Sequence, residues 1–157
     1  MKKTLINKIA LLGLMISVLC SSCLKKDLPE YPAFDANEIT LVNVEHRFAG
    51  TSTNGQPVVI YQKLTLAQQV DKTTSTINVQ ITVPAATGQF TTAERAKVAQ
   101  NKLWFYMNLS TAAVIAPTDG TPKLGDPTDG TKPLKYIVTA ANGATRTWTI
   151  NVTAFNP

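Results

Sequence analysis

Apolar and polar residues alternate along most of this chain beyond its first 40 residues, and this alternation predicts β-strands. In the segment 77–83, four aliphatic side chains share one face and three polar side chains share the other: Ile77, Val79, Ile81 and Val83 against Asn78, Gln80 and Thr82. Successive side chains of a strand point to opposite faces, so this segment is expected to have one buried and one solvated face.

Six further segments have strand patterns: 40–48, 57–70, 103–109, 112–116, 134–140 and 145–155. The polar residues 71–75 predict a turn that joins the segment 57–70 to the segment 77–83 as a hairpin. Asn142-Gly143 is a strong turn signal and predicts a second hairpin at the end of the chain. Only residues 91–100 are predicted to be helical, because Thr91 and Glu94 have capping-box spacing and alanines follow.

Seven short strands and one connecting helix in roughly 115 residues predict an all-β fold. The expected architecture is an immunoglobulin-like antiparallel β-sandwich, in which two sheets bury their apolar faces against each other. The prediction depends on the strand pattern alone, since the chain lacks the Cys…Trp…Cys spacing of immunoglobulin domains.

The N-terminus has a different pattern. Three lysines, Lys2, Lys3 and Lys8, precede an apolar run over residues 9–19. The run is too short to span a bilayer as a helix. Positive residues followed by a short apolar run are typical of a signal peptide. One interpretation is an ordinary secretory signal in which Cys23 is incidental. The other is a lipoprotein signal, because Ser21-Ser22-Cys23 resembles the lipobox of bacterial lipoproteins, although Cys20 stands where that motif usually has Leu.

We expect the second interpretation, with a signal peptide over residues 1–22 and lipidation at Cys23. Cys20 is a poorer acceptor, because bulky Leu19 would then stand at the cleavage position. Cleavage would leave a domain without thiols or disulfides. It would also remove three lysines, leaving 12 basic against 10 acidic residues, or +2 instead of +5. The basic character of the full chain is therefore no argument for a nucleic-acid partner.

Residues 23–37 are expected to form the acylated cysteine and a flexible tether, and residues 38–157 the folded domain. Pro29 and Pro32 disfavour helix and strand pairing in this segment. Its charged residues Lys25-Lys26-Asp27 resemble the surface-export signals of Bacteroidota lipoproteins. The expected location is the outer membrane, lipid-anchored and exposed at the cell surface, with the periplasmic face as the alternative.

The segment from Tyr136 to Val152 resembles the closing hairpin of immunoglobulin-like and cadherin-like domains in Bacteroidota lipoproteins. Its features are a Tyr-x-Val-Thr-Ala strand, an Asn-Gly turn and a Trp-x-Ile-x-Val strand. Many such domains have no known function, and many are associated with polysaccharide-utilisation loci. The resemblance implies an accessory role in glycan acquisition or adhesion, with a polysaccharide or outer-membrane glycan-uptake proteins as partners.

The sequence contains few of the residues and motifs that catalytic sites require. His46 is the only histidine, and it shares a strand face with Val42, Val44 and Phe48, so a buried structural role is expected. No nucleophile-elbow motif marks a serine, and the ligands for a zinc site are too few. We therefore expect no enzyme, no cofactor and no metal site, with a hydrolase as a less favoured alternative.

A near-repeat of turn-forming residues, Pro-Thr-Asp-Gly-Thr, begins at Pro117 and again at Pro127. We expect two successive turns in one loop. Calcium held by Asp119, Asp126 and Asp129 is the alternative, although the spacing of EF-hand ligands is absent.

The candidate binding residues come from strand parity in the segment 103–109. Its apolar set, Leu103, Phe105, Met107 and Leu109, should face the core, which directs Trp104, Tyr106 and Asn108 outward. Aromatic rings can stack on the C–H face of a sugar while amides bond its hydroxyls, so these three residues predict a glycan platform. The alternatives are ordinary packing under another segment, or an assembly subunit that docks a partner in an outer-membrane complex. By the same parity, Trp148 should be buried.

Overall fold

The computed structural model describes residues 33–157. The predicted signal peptide, Cys23 and most of the predicted tether lie outside the described residues. Eight strands and one short helix follow in the described chain: β1 Ile39–Thr51, β2 Pro57–Lys63, β3 Thr65–Asp71, β4 Thr76–Thr82, α1 Thr92–Arg95, β5 Trp104–Leu109, β6 Val114–Thr118, β7 Leu134–Thr139 and β8 Thr145–Asn156.

The strands form two sheets. The three-stranded sheet has the order β2-β1-β5, and the five-stranded sheet has the order β3-β4-β8-β7-β6. The predicted all-β fold of two sheets is confirmed, and both predicted hairpins, β3-β4 and β7-β8, are present. One pair, β4 with β8, is parallel. These two strands are far apart in sequence and no hairpin joins them, so a parallel arrangement is open to them.

The eighth strand arises because the segment 57–70 is two strands in different sheets. β2 pairs with β1, the chain crosses to the other sheet at Leu64, and β3 then pairs with β4. Leu64 is buried, and its N–H donates to the carbonyl oxygen of Val44 at 3.0 Å. The apolar alternation continues through the crossing, so the pattern alone could not reveal it.

The inner faces of both sheets contribute to one apolar core. The three largest fully buried side chains are Trp148, Tyr136 and Phe105, from β8, β7 and β5. Trp148 is therefore buried as its parity predicted. The predicted apolar faces of the strands are also inside, including Val79 and Ile81 of β4. Complete burial of an aliphatic side chain of this size contributes about 1.5–3 kcal/mol.

The helix α1 is shorter than predicted. Thr91 caps it as expected, since its hydroxyl oxygen accepts a hydrogen bond from the N–H of Glu94 at 3.2 Å. The carboxylate of Glu94 pairs with Lys97 at 2.6 Å. The chain beyond Ala96 continues as turns, and Val98 from this stretch is buried in the core.

Two glutamine side chains complete the pairing of β1. β5 pairs with β1 between Ile39 and Glu45, and β2 pairs with it from Glu45 to Thr51, so each half of β1 has one strand neighbour. The carboxamide of Gln68 bonds both the N–H and the carbonyl oxygen of Val42, at 2.9 and 3.2 Å. The carboxamide of Gln89 does the same at Thr51. Each side chain thus replaces part of a missing strand.

Residues just before β1 contact the domain directly. The indole N–H of Trp148 donates to the carbonyl oxygen of Asn37 at 3.0 Å. The N–H of Asn142, in the β7-β8 turn, donates to the carbonyl oxygen of Phe34 at 3.1 Å. Two of the last five residues of the predicted tether, Phe34 and Asn37, are therefore bonded to the five-stranded sheet and its closing turn. Within residues 33–157, no helix is long and apolar enough to cross a membrane.

Candidate functional site

Strand β5 is an edge strand of the three-stranded sheet and carries the predicted platform residues. Phe105 is fully buried, so its neighbours Trp104 and Tyr106 project from the opposite, outer face of the sheet. Both rings are half-buried, whereas Asn108, further along the same face, is exposed. The outward orientation of the three residues therefore agrees with strand parity.

Arg47 of β1 accounts for part of the burial of the two rings. Its guanidinium carbon lies 5.7 Å from the centre of the Trp104 ring and 5.4 Å from the centre of the Tyr106 ring. A guanidinium within about 6 Å of a ring centroid is attracted to the ring electrostatically. Arg47 Nε also lies 3.6 Å from a carboxylate oxygen of Glu45, two residues away on the same strand. One cation thus contacts both rings, which stand two residues apart on β5.

β2 adds a third aromatic ring to the same outer face. Tyr61 stands opposite Arg47 in the β1-β2 register, and residues opposite each other in a strand pair share a face. Tyr61 is 61% exposed, and Val59 on the same strand is 74% exposed. We call the surface formed by Tyr61, Trp104, Tyr106 and Arg47 the aromatic face.

Sequence reasoning identified two of the three rings of this surface. The alternation in β2 places Val58 and Ile60 on the inward side, so the outward direction of Tyr61 was readable from the pattern. Its position on the same sheet face as Trp104 was not, because that depends on β1 lying between β2 and β5.

The loop with the near-repeat holds the start of β5 in place. Thr128, from the second copy of the repeat, is buried and exchanges two backbone hydrogen bonds with Leu103, at 2.7 and 3.0 Å. Gln100 makes two further bonds to Gly130, both 2.9 Å long. A Cβ atom at Gly130 would lie 3.1 Å from the carbonyl oxygen of Gln100, so this close approach favours glycine. The loop thereby anchors the strand that carries Trp104.

The carboxylates of this loop interact with lysines and hydroxyls. Asp119 pairs with Lys135 at 2.7 Å, and this contact lowers the pKa of the carboxyl group. Asp129 accepts hydrogen bonds from the side chain and backbone of Thr131, which lower its pKa, and Lys132 lies 3.4 Å away. In the part of the chain that the structure describes, no three His, Cys, Asp or Glu side chains are grouped as a metal site would require. The geometry matches two turns stabilised by local contacts.

His46 is buried on the inner face of the three-stranded sheet, as its position predicted. Its ring lies 5.9 Å from the ring of Phe48 and 6.3 Å from that of Phe90, and neither ring nitrogen has a hydrogen-bond partner among residues 33–157. Burial lowers the pKa of His46; Glu94 partly opposes this effect, and Lys102 and Lys97 add to it. The imidazole is therefore neutral near pH 7 and packs as an aromatic ring.

Comparison with known proteins places this fold in a family. The model of the DUF5018-related family matches residues 39–151. The chain belongs to this family. The DUF5018-related region begins at the start of β1 and ends within β8, so it includes the complete aromatic face.

A solved structure from Bacteroides fragilis, of a protein named a "putative secreted protein", is similar to this DUF5018-related chain. The two are 40% identical, the match covers 80% of this chain and all of the other, and the TM-score is 0.74. No functionally curated protein matches. The similarity is consistent with an extracytoplasmic location for this protein.

Proposed function

We propose that this protein is a lipid-anchored accessory protein of the cell envelope that binds glycans through its aromatic face. The observation that carries the proposal is the grouping of Tyr61, Trp104 and Tyr106 on one outer sheet surface around Arg47. Burial of such rings in the core would be ordinary packing. These rings instead lie on the outer face of β2 and β5, and aromatic side chains on an outer surface support a role in ligand binding.

The chemistry of the aromatic face suits a sugar. Aromatic rings offer an apolar surface for the C–H face of a pyranose, and Tyr61 is the ring most accessible for this contact. Arg47 supplies several N–H donors, and the exposed amide of Asn108 can donate and accept hydrogen bonds. The rings lie on β2 and β5 of one sheet face, an arrangement that favours a polysaccharide chain over a small molecule that needs enclosure.

The glycan proposal is tested by affinity electrophoresis in gels containing a panel of plant, microbial and host polysaccharides. We expect retardation by at least one polysaccharide, with affinity reduced at least about tenfold in Trp104→Ala, Tyr106→Ala and Tyr61→Ala. Phe34→Ala is the matched control, since Phe34 is an aromatic residue of similar exposure to Tyr61, 59%, and is bonded to the β7-β8 turn of the other sheet. Unchanged binding in all three aromatic-face variants would refute the proposal.

Lipid anchoring at Cys23 is the second part of the proposal, with the outer membrane as the location and the cell surface as the preferred side. It is supported by the lipobox resemblance and by the similarity to the Bacteroides fragilis protein named a "putative secreted protein". At about 0.8 kcal/mol per buried methylene, two or three acyl chains would anchor the protein firmly. Metabolic labelling with a fatty acid should mark the protein and should be lost in Cys23→Ala. Labelling that persists in this variant would exclude Cys23 as the lipid site.

A second candidate function is the docking of a protein partner in an outer-membrane complex. It is favoured by two apolar side chains on the same outer surface, Val59 and Leu41, which are 74% and 39% exposed. Crosslinking on cells followed by purification would recover a defined partner, and Val59→Lys would abolish the crosslink. This result, in the absence of glycan binding, would replace the glycan proposal.

We also propose that the protein is not an enzyme. The packing of His46 against Phe48 and Phe90 supports this view, because a general base needs a hydrogen-bonded path to its substrate. Hydrolysis of a polysaccharide by the purified protein that is lost in His46→Ala would revive the hydrolase alternative.

A further inference from the structure

The outer face of the five-stranded sheet has a groove of about 340 Å³ across strands β3, β4 and β8. Its lining residues are Ala67, Gln68, Gln69, Asn78, Gln80 and Thr153. We propose that this groove is a second binding site, for an uncharged polyhydroxylated ligand such as a short stretch of neutral polysaccharide. We call it the amide groove.

The shape of the groove follows from the strand register. Gln69 stands opposite Asn78, and Ala67 stands opposite Gln80. Because Ala67 has only a methyl group, it leaves a gap beside the longer amide side chains. Strand β8 is irregular at the same place, since Val79 pairs with Val152 and Gln80 pairs with Ala154, which leaves Thr153 as an extra residue.

An extra residue of this kind bends its strand, and such bulges are frequent next to binding sites. The hydroxyl of Thr153 donates to the carbonyl oxygen of Val79 at 3.3 Å, so the bulge is fixed to the neighbouring strand. The gap beside the short side chain of Ala67 and the bulge at Thr153 together account for the concave surface at this place on the sheet.

The lining residues indicate the class of ligand, since none of them is charged or aromatic. The carboxamide of Gln68 is bonded to the backbone of Val42, but Gln69 and Gln80 are exposed to solvent. Asn151 donates to the side-chain oxygen of Asn78 at 3.3 Å, which orients that amide. Carboxamides both donate and accept hydrogen bonds, as sugar hydroxyls do.

The lining offers no opposite charge to an ionic ligand, whereas its amides can bond hydroxyls, so we expect selectivity for uncharged ligands. The volume is at the lower end of the range for small-molecule sites, which corresponds to one or two sugar units. The polar and open lining predicts weak, millimolar binding. The amide groove shares no residue with the aromatic face and lies on the other sheet, so either proposal can fail without the other.

The test is NMR titration of the domain, residues 33–157, which form one compact unit. The uncharged probes are maltotetraose, cellotetraose and mannotetraose, and the charged comparison is trigalacturonate. At least one uncharged probe should shift the side-chain NH₂ signals of Gln69, Asn78 and Gln80, and trigalacturonate should not shift them.

Two phenylalanine substitutions form a matched pair. Ala67→Phe fills the gap in the groove and should weaken binding at least about tenfold. Ala116→Phe makes the same change at an exposed alanine of β6, the other edge strand of the same sheet, and should leave binding unchanged. If Ala67→Phe fails to fold, the double variant Gln69→Ala/Gln80→Ala takes its place with the same expected loss.

Three results would overturn the inference. The first is the absence of any shift of the three amide signals with all uncharged probes. The second is an equal response to trigalacturonate. The third is binding that persists unchanged in Ala67→Phe, or in the double variant. Shifts confined to Tyr61, Trp104 and Tyr106 would leave the aromatic face as the sugar site and exclude the amide groove.

Discussion

The two sheets of this domain are built in different ways. In the five-stranded sheet, β8 lies between β4 and β7 and pairs with both, and its inner face contributes the fully buried Trp148. In the three-stranded sheet, each neighbour of β1 covers only half of that strand, and Gln68 and Gln89 bond the backbone where a strand is missing. We infer that the five-stranded sheet supplies most of the stability, and that the three-stranded sheet presents the aromatic face with less backbone pairing.

The largest effect is expected at Trp148. Trp148→Ala should lower the free energy of unfolding by about 3–5 kcal/mol, because it leaves a large cavity and removes the hydrogen bond to Asn37. Urea unfolding followed by circular dichroism measures the change.

A matched pair of smaller substitutions tests which of the two sheets contributes more to stability. Val79 of β4 and Val44 of β1 are both fully buried, and both lie inside their strands. If the five-stranded sheet carries more of the stability, Val79→Ala should cost more than Val44→Ala. The opposite order would contradict the assignment.

The next largest effect on stability is expected at Gln68, whose side chain bonds the backbone of β1 where a neighbouring strand is missing. Gln68→Ala should destabilise the domain by about 1–2 kcal/mol, because the N–H and the carbonyl oxygen of Val42 lose their partner. The exposed neighbour Gln69 provides the control, and Gln69→Ala should change stability by less than about 0.5 kcal/mol. Amide hydrogen exchange at Val42 should accelerate in the first variant alone. Equal exchange rates in both would show that the bond to Gln68 is unimportant.

The positions of strands and their buried faces were predictable from the sequence, because apolar residues recur at every second position on the side of a strand that faces the core. The outward direction of Trp104 follows in this way from the burial of Phe105. The crossing at Leu64 was not predictable, since the alternation continues through it. The aromatic face was predictable only in part, because Arg47 and Tyr61 share a sheet face with Trp104 only through strand pairing between distant segments.

A smaller effect concerns pH and the inner face of the three-stranded sheet. The pKa of His46 is lowered in the folded protein by burial, whereas the unfolded chain has the ordinary value near 6.5. As the pH falls below about 6.5, the unfolded state binds a proton that the folded state does not bind, so stability should fall. At higher pH both states are neutral and the effect vanishes.

Chemical unfolding at a series of pH values from about 7.5 to 5 would measure this dependence. The loss of stability in this range should be absent in His46→Leu. Carboxylates such as Asp71, Asp119 and Asp129, whose pKa values are lowered, add their own losses only at more acidic pH. A variant with the same loss between about pH 6.5 and 5 as the parent would exclude His46 as the cause.

The smallest effect on stability is expected at Tyr136, which we compare with Trp148 in the same five-stranded sheet. Tyr136 and Trp148 are opposite each other in the β7-β8 register, and both are fully buried. The indole N–H of Trp148 has a partner, whereas the hydroxyl of Tyr136 has none among residues 33–157, and burial raises the pKa of Tyr136 to about 12. Tyr136→Phe should therefore leave stability unchanged or raise it by up to about 1 kcal/mol, because it removes a buried polar group without breaking a hydrogen bond.

Trp148→Phe provides the contrast, since it breaks the bond to Asn37 as well as reducing the buried ring, and it should destabilise the domain in the same urea experiment. A loss of more than about 1 kcal/mol in Tyr136→Phe would show that the hydroxyl does find a partner in solution, such as a buried water. In that case the inner face of the five-stranded sheet would be fully hydrogen-bonded at both positions. His46 would then be the one buried side chain of residues 33–157 whose polar atoms lack partners. Unpaired buried polar atoms would therefore be confined to the three-stranded sheet.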